Sequence, residues 1–179
     1  MIVVFSGPPC SGKSLLGGLV ATSRNFTHLE MDAIRLRLLP GASHTREDRR
    51  IAYRAMHLMA ETLALRGESV IVNAGYSHAA DRREIEEVAS LVRTSLHLVE
   101  FTVTPQVAVE RSRQRKVSHP GLDLTDERVA DLVRGFPFFR GGLVVDSEEP
   151  PEDNLQRILA HLSKGQALNA NSWSAAGLP

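Results

Sequence analysis

Two hydrophobic periods alternate along the chain. Continuous apolar runs at Ile2 to Ser6, Phe26 to Glu30, Ser69 to Asn73, Leu96 to Val103 and Leu143 to Asp146 have the length and β-branched content of strands buried on both faces. Between them the period changes to that of a helix. Leu15, Leu16, Leu19 and Val20 form the expected buried stripe of a helix from Ser14 to about Arg24. Thr45 with Asp48 predicts the cap of a long helix in which Ile51, Ala52, Ala55, Leu58 and Met59 recur until Gly67 stops it. Ile85, Val88, Ala89 and Val92 mark another. Thr104-Pro105 starts a helix carrying Val107, Val109 and Arg111, and Thr125 to Arg134 forms one closed by Gly135. Leu155, Ile158, Leu159 and Leu162 define a last helix ended by Gly165. Strands joined by helices predict an α/β domain over 1–164, its parallel sheet covered on both faces. The stretch 165–179 lacks periodicity and is predicted to be a fraying tail.

Composition changes this picture little. The 179 residues are 42% hydrophobic and 23% charged, which suits one domain with a full core. With 21 basic and 21 acidic side chains the whole molecule has no long-range pull on nucleic acid or anionic membrane. The first apolar run is only a strand's length, and no run approaches the ~18 residues a membrane span needs, so the expected location is cytoplasmic. One cysteine, Cys10, cannot form an internal disulfide, and the histidines show no metal-ligand spacing.

Candidate chemistry begins right after the first strand. Gly7-Pro8-Pro9-Cys10-Ser11-Gly12-Lys13-Ser14 fits G-x-x-x-x-G-K-[ST] between a predicted strand and a predicted helix. Such a loop wraps a polyphosphate with backbone N–H groups, and the helix N-terminus adds its positive dipole end. Lys13 is expected to reach the β and γ phosphates, and Ser14 to give its hydroxyl to Mg²⁺.

Together with Met31-Asp32-Ala33-Ile34-Arg35, the G-E-S-V-I-V-N-A of 67–74 and the E-R-S-R-Q-R of 110–115, this loop resembles the P-loop kinases related to polynucleotide kinase, chloramphenicol phosphotransferase and zeta-toxin-like proteins. The resemblance covers about 1–164. It implies a P-loop NTPase fold with a five-stranded parallel sheet of order 2-3-1-4-5 and a small lid. It also implies ATP, with GTP as an alternative, and Mg²⁺ as cofactors, and transfer of the γ-phosphoryl to a hydroxyl. In the polynucleotide kinase type of site the D-x-x-R spacing supplies a base and an acceptor-binding arginine, which Asp32 and Arg35 match.

The residues point the same way. A carboxylate at the carboxyl end of the second strand sits beside the phosphate loop, where it can orient an acceptor hydroxyl. A helix cap followed by a solvated arginine is the plainer reading of Asp32 and Arg35. Arg111 and Arg115 lie four apart and share a helical face. The spacing is similar to the lid start of nucleoside monophosphate kinases, which assigns Arg111 to adenine and Arg115 to phosphate; a solvated basic face is the alternative. Residues 117–124, with Pro120-Gly121, are expected to turn the lid.

At the end of the third strand Asn73 stands where the pattern calls for an aspartate, so metal dependence is expected to rest on Ser14, with Asp32 as a further candidate. Tyr76 and His78 are placed to line an acceptor pocket or to be plain loop residues, and Arg82 is expected to pair on the helix surface. Phe136-Pro137-Phe138-Phe139 reads as an apolar plug under the lid or a stacking platform. Three functions follow as expectations. A small-molecule hydroxyl kinase leads. A polynucleotide 5′-hydroxyl kinase is disfavoured by the neutral net charge. A nucleotide-driven switch would have no need of an acceptor site. Oligomeric state is not legible.

Overall fold

The computed structural model describes residues 1–41, 45–118, 124–169 and 172–175, without the side chains of 115–118. Five parallel strands, β1 (Ile2–Ser6), β2 (Thr27–Glu30), β3 (Val70–Ala74), β4 (Leu96–Thr102) and β5 (Leu143–Asp146), form one sheet of order β2-β3-β1-β4-β5. All five therefore end on one edge, where the ligand crevice of such sheets lies.

Alternation along β1 explains how both faces become core. Ile2 and Val4 pack with Val70, Val72 and Leu98 beneath α3 (Arg46–Leu65) and α4 (Ala79–Leu91). Val3 and Phe5 pack with Ile71, Val99 and Phe101 beneath α1 (Lys13–Arg24) and α7 (Pro151–Ser163). A third, smaller cluster of Val103, Ala108, Val129 and Val133 joins α5 (Pro105–Ser118) to α6 (Asp126–Arg134), a unit beside the sheet edge in the place expected for the lid. Of the expected lid turn at 117–124, residues 117 and 118 continue α5, and 119–123 lie outside the described residues.

Caps predicted from sequence are present: the Thr45 hydroxyl accepts from Asp48 N at 3.1 Å, and the Thr125 hydroxyl from Arg128 N at 3.2 Å. Two predicted stripes shift. In α1 the buried positions are Leu16, Gly17 and Val20, while Leu15 is 59% exposed, because the helix turns its small glycine face to the sheet. In α3 the buried face is Ala52, Tyr53, Met56, His57 and Ala60, leaving Ile51, Leu58 and Met59 exposed. An aliphatic search misses this face because Tyr53 and His57 are buried through hydrogen bonds.

The tail also departs from expectation. Leu168 N donates to Leu96 O at 2.8 Å, and the short helix α8 (Ser172–Ala175) buries Trp173 to 1% exposure. The Glu86 carboxylate accepts from the N–H groups of Trp173 (2.9 Å) and Ser174 (3.2 Å), while Trp173 packs on Tyr76 with ring centroids 5.2 Å apart. One large aromatic and a buried carboxylate hold a segment whose polar composition suggested fraying.

Candidate active site

The phosphate loop leaves β1 with its backbone already shaped. A Cβ on Gly7 would lie 2.7 Å from Phe101 O and 2.9 Å from Ser11 Oγ, so a side chain there would collide. Gly12 adopts φ 77°, the left-handed conformation that glycine takes without strain, and starts α1. Ser11 Oγ donates to Pro8 O at 2.9 Å and pins the loop's curve. Lys13 Nζ donates to Gly7 O (3.0 Å), Pro8 O (2.7 Å) and Ser11 Oγ (3.2 Å), holding the ammonium over the loop. Ser14, at the mouth, is exposed.

Arg111 reaches across from α5. It donates to Cys10 O (3.3 Å), to Ser147 Oγ (2.8 Å) and to Ser147 O (2.7 Å), tying the loop to the turn after β5. In this arrangement it shapes the loop's flank, and the Asp146-Ser147 turn serves as scaffold, with Asp146 O accepting from Asn154 Nδ2. The Arg115 side chain lies outside the described residues. Arg113 is held by Asp126 at 2.8 Å.

On the other side of the loop, α2 (Met31–Leu38) begins directly at the end of β2. Its N-cap position is Glu30, which makes no side-chain cap, so Asp32 lies within the first turn and is not the cap. Asp32 is exposed, whereas Arg35 on the same helix is only 3% exposed. The Nε atoms of Arg35 and Arg49 are both buried without a hydrogen-bond partner. Burial pushes the Tyr53 phenol well up, the Tyr76 N–H opposes this, Asp81 and Asp32 add to it, and the Arg49 charge lowers it. Burial and then Arg46 hold His78 below the usual histidine range, with Arg49 contributing in the same direction. Asp32 and Arg49 thus both act electrostatically on Tyr53, and Arg49 and Asp81 also act on His78.

Three expected placements change. Tyr76 lines no pocket: it is 1% exposed, its N–H donates to Tyr53 OH at 2.8 Å, and its hydroxyl meets His57 Nε2 at 3.0 Å. Its φ of 54° turns the ring inward under Trp173. Arg82 is not a surface partner but is buried, donating to Tyr76 O at 3.2 Å and lying 5.9 Å from the Trp173 ring. The phenylalanine cluster divides: Phe139 packs into the main core, while Phe136 and Phe138 pair with each other at 4.8 Å. His78, by contrast, stays exposed at the start of α4. Arg49 was missed by the sequence reading, although its i, i+4 spacing from both Thr45 and Tyr53 puts it on one helix face with them.

A family model for an AAA domain, AAA_33, matches residues 2–138. The chain belongs to this family, and it is a P-loop kinase. It is similar to the adenylyl-sulfate kinase of Deinococcus deserti, 31% identical over 90% of each chain. Among solved structures it is similar in fold to a gluconokinase from Sinorhizobium meliloti (TM-score 0.69, 22% identity, 90% of this chain and 91% of that one). It is also similar to the Mycobacterium tuberculosis APS kinase in complex with AMPPNP and APS (TM-score 0.71, 19% identity, 90% and 96%). These relatives are kinases of small molecules, and the family kinship places this chain in that broad class. No helix among the described residues is long and apolar enough to cross a membrane.

Proposed function

We propose that this kinase transfers the γ-phosphoryl group of ATP to a hydroxyl of a small molecule that carries an anionic group. The observation that carries this reading is an exposed carboxylate, Asp32, three residues before the buried Arg35 on α2, with the buried Nε atoms of Arg35 and of the half-buried Arg49 lacking a hydrogen-bond partner. Unsatisfied buried guanidinium donors are costly, and a carboxylate, phosphate or sulfate received in a bidentate manner removes that cost. The name of the Deinococcus relative fits an acceptor of this charge.

In this reading Gly7, Pro8, Pro9, Cys10, Ser11 and Gly12 present the loop backbone to the triphosphate, and Lys13 moves from its carbonyl partners to the β and γ phosphates. Asp32 orients the acceptor hydroxyl and takes its proton as the bond to phosphorus forms. His78, exposed at the start of α4, is available to hydrogen-bond an acceptor oxygen. Arg111 buttresses the nucleotide side, and Arg115 is assigned to the transferring phosphoryl. Mg²⁺ fits the oxygen donors present, with Ser14 its protein hydroxyl, and when bound it neutralises charge on the phosphates. Among the described residues no group of three or more His, Cys, Asp or Glu forms a closed metal cage, which agrees with an ion held largely by phosphates and water.

The test is a phosphotransfer screen with labelled ATP against adenylyl sulfate, gluconate and other hydroxy acids, sugar phosphates, neutral nucleosides and 5′-hydroxyl oligonucleotides. Anionic small molecules should accept the label, and Arg35→Lys with Arg49→Lys should raise their KM by tenfold or more while leaving ATP affinity in place. Labelling confined to neutral acceptors or to oligonucleotides would overturn the assignment.

A further inference from the structure

The end of β3 carries a neutral side chain where kinases of this pattern carry a charge, and the structure shows what surrounds it. Asn73 Nδ2 donates to Ser14 Oγ at 3.2 Å and to Glu30 Oε1 at 3.1 Å. The same nitrogen lies 3.3 Å from His28 Nε2. Glu30 and Asn73 are Cα partners across the parallel β2–β3 ladder, so their side chains leave the same sheet edge side by side. Glu30 occupies the N-cap position of α2, yet its side chain makes no cap bond and turns toward Asn73 and the loop serine.

We propose that Glu30 is the carboxylate that orients the water shell of the loop's divalent cation, acting through Asn73 and Ser14. The proposal rests on the reading that Ser14 holds a metal–nucleotide complex. A small hard cation binds oxygens at about 2.1 Å and keeps several waters, so a carboxylate beside the ligand hydroxyl acts on it through one of those waters. An asparagine at 73 can orient such a water but adds no charge. Glu30 adds it from the neighbouring strand, and the Asn73 amide braces Ser14 against Glu30. Asp32 is not among the hydrogen-bond partners of Asn73. It stands two residues further on, in the first turn of α2, and is left free for the acceptor hydroxyl. His28 packs the cluster from the α1 side, where a Cβ on Gly17 would come within 2.4 Å of its Nε2. Glu30 is therefore a positioning residue for the metal, and Asp32 serves the acceptor.

The experiment is a titration of ATP affinity against Mg²⁺ by calorimetry, with Mn²⁺ binding to the ATP complex followed by electron paramagnetic resonance. Glu30→Gln should raise the metal concentration required by roughly tenfold or more, the usual worth of an outer-shell partner, and leave metal-free ATP affinity unchanged. Asp32→Asn should titrate like wild type. The double variant Glu30→Gln with Asn73→Asp, which moves the carboxylate one strand over, should recover most of the lost metal affinity. Glu30→Asp withdraws the charge by one methylene and should fall between; it decides the matter if the Gln variant does not fold in a thermal melt. A metal requirement unchanged in Glu30→Gln, or one displaced by Asp32→Asn instead, overturns the proposal. Wild-type ATP binding that ignores Mg²⁺ would overturn the underlying metal–nucleotide reading as well, and is read before any variant.

Discussion

On the nucleotide side of the crevice, residues 7–14 form one contiguous stretch whose shape comes from backbone: a left-handed glycine, a hydroxyl bonded to a carbonyl and a lysine folded over the loop. On the proposed acceptor side the candidate groups, Asp32, Arg35, Arg49 and His78, come from α2, α3 and the start of α4, separated by up to about half a hundred residues in the chain. The difference teaches where specificity lives. A loop that binds phosphate through N–H groups is the same for any nucleotide kinase. A pocket built from side chains on separate helices can change its acceptor without disturbing that loop. The tail belongs to the second side: Trp173 packs on Tyr76, whose loop joins β3 to the helix that presents His78.

The comparison can be broken most severely from the tail. Trp173→Ala should cost about 3–5 kcal/mol of stability, as removal of a fully buried indole does, and should lower the urea midpoint strongly. A midpoint within error of wild type would show that the acceptor side does not depend on the tail. Next, Lys13→Ala should reduce phosphoryl transfer by about 10²- to 10³-fold with the melting transition preserved, because the ammonium contributes charge rather than packing. Turnover near the wild-type rate in that variant would remove the loop from the chemistry.

Asp32→Asn sharpens the contrast between the two sides. It should lower kcat by roughly 10²-fold while calorimetric ATP affinity stays put, the outcome expected of the proposed role of the carboxylate at the acceptor. Parallel loss of both would move Asp32 to the nucleotide side. The smallest effect expected is on stability against pH. Burial, the leading cause in each case, holds His28, His97 and His161 below the ordinary histidine value of 6.5, so the unfolded chain binds more protons than the folded one just below that value. Stability should therefore be full above about pH 6.5 and decline as pH falls from there toward the folded-state values. Urea midpoints at pH 7.5 and 5.5 measure it, and His97→Gln should flatten the slope; a flat wild-type profile would contradict the burial of these rings.

How much of this was legible beforehand depended on the range of the interaction concerned. Strand order needs tertiary contact in general, yet here the phosphate-loop resemblance supplied it, and β2-β3-β1-β4-β5 is what the structure has. Asp32 and Arg35 could be singled out from their D-x-x-R spacing, but their separation into an exposed carboxylate and a buried guanidinium could not. Tyr76 looked like a pocket residue from its position after β3. A left-handed backbone turns it inward, and a loop sequence carries no rule for that.

By itself, then, the sequence determined whatever depends on neighbours within a turn or a strand: the alternating elements, the caps at Thr45 and Thr125, the glycine-shaped loop and the kinase class that loop implies. Only the tertiary structure decided which face of α3 is buried, that Trp173 anchors the tail, that Arg35 is buried while Asp32 is exposed, and that Glu30 stands beside Asn73. The physical reason is range. Periodicity and capping are energies between residues a few positions apart, whereas a buried arginine or a carboxylate lent from the next strand is set by groups tens of residues away that meet only when the sheet closes.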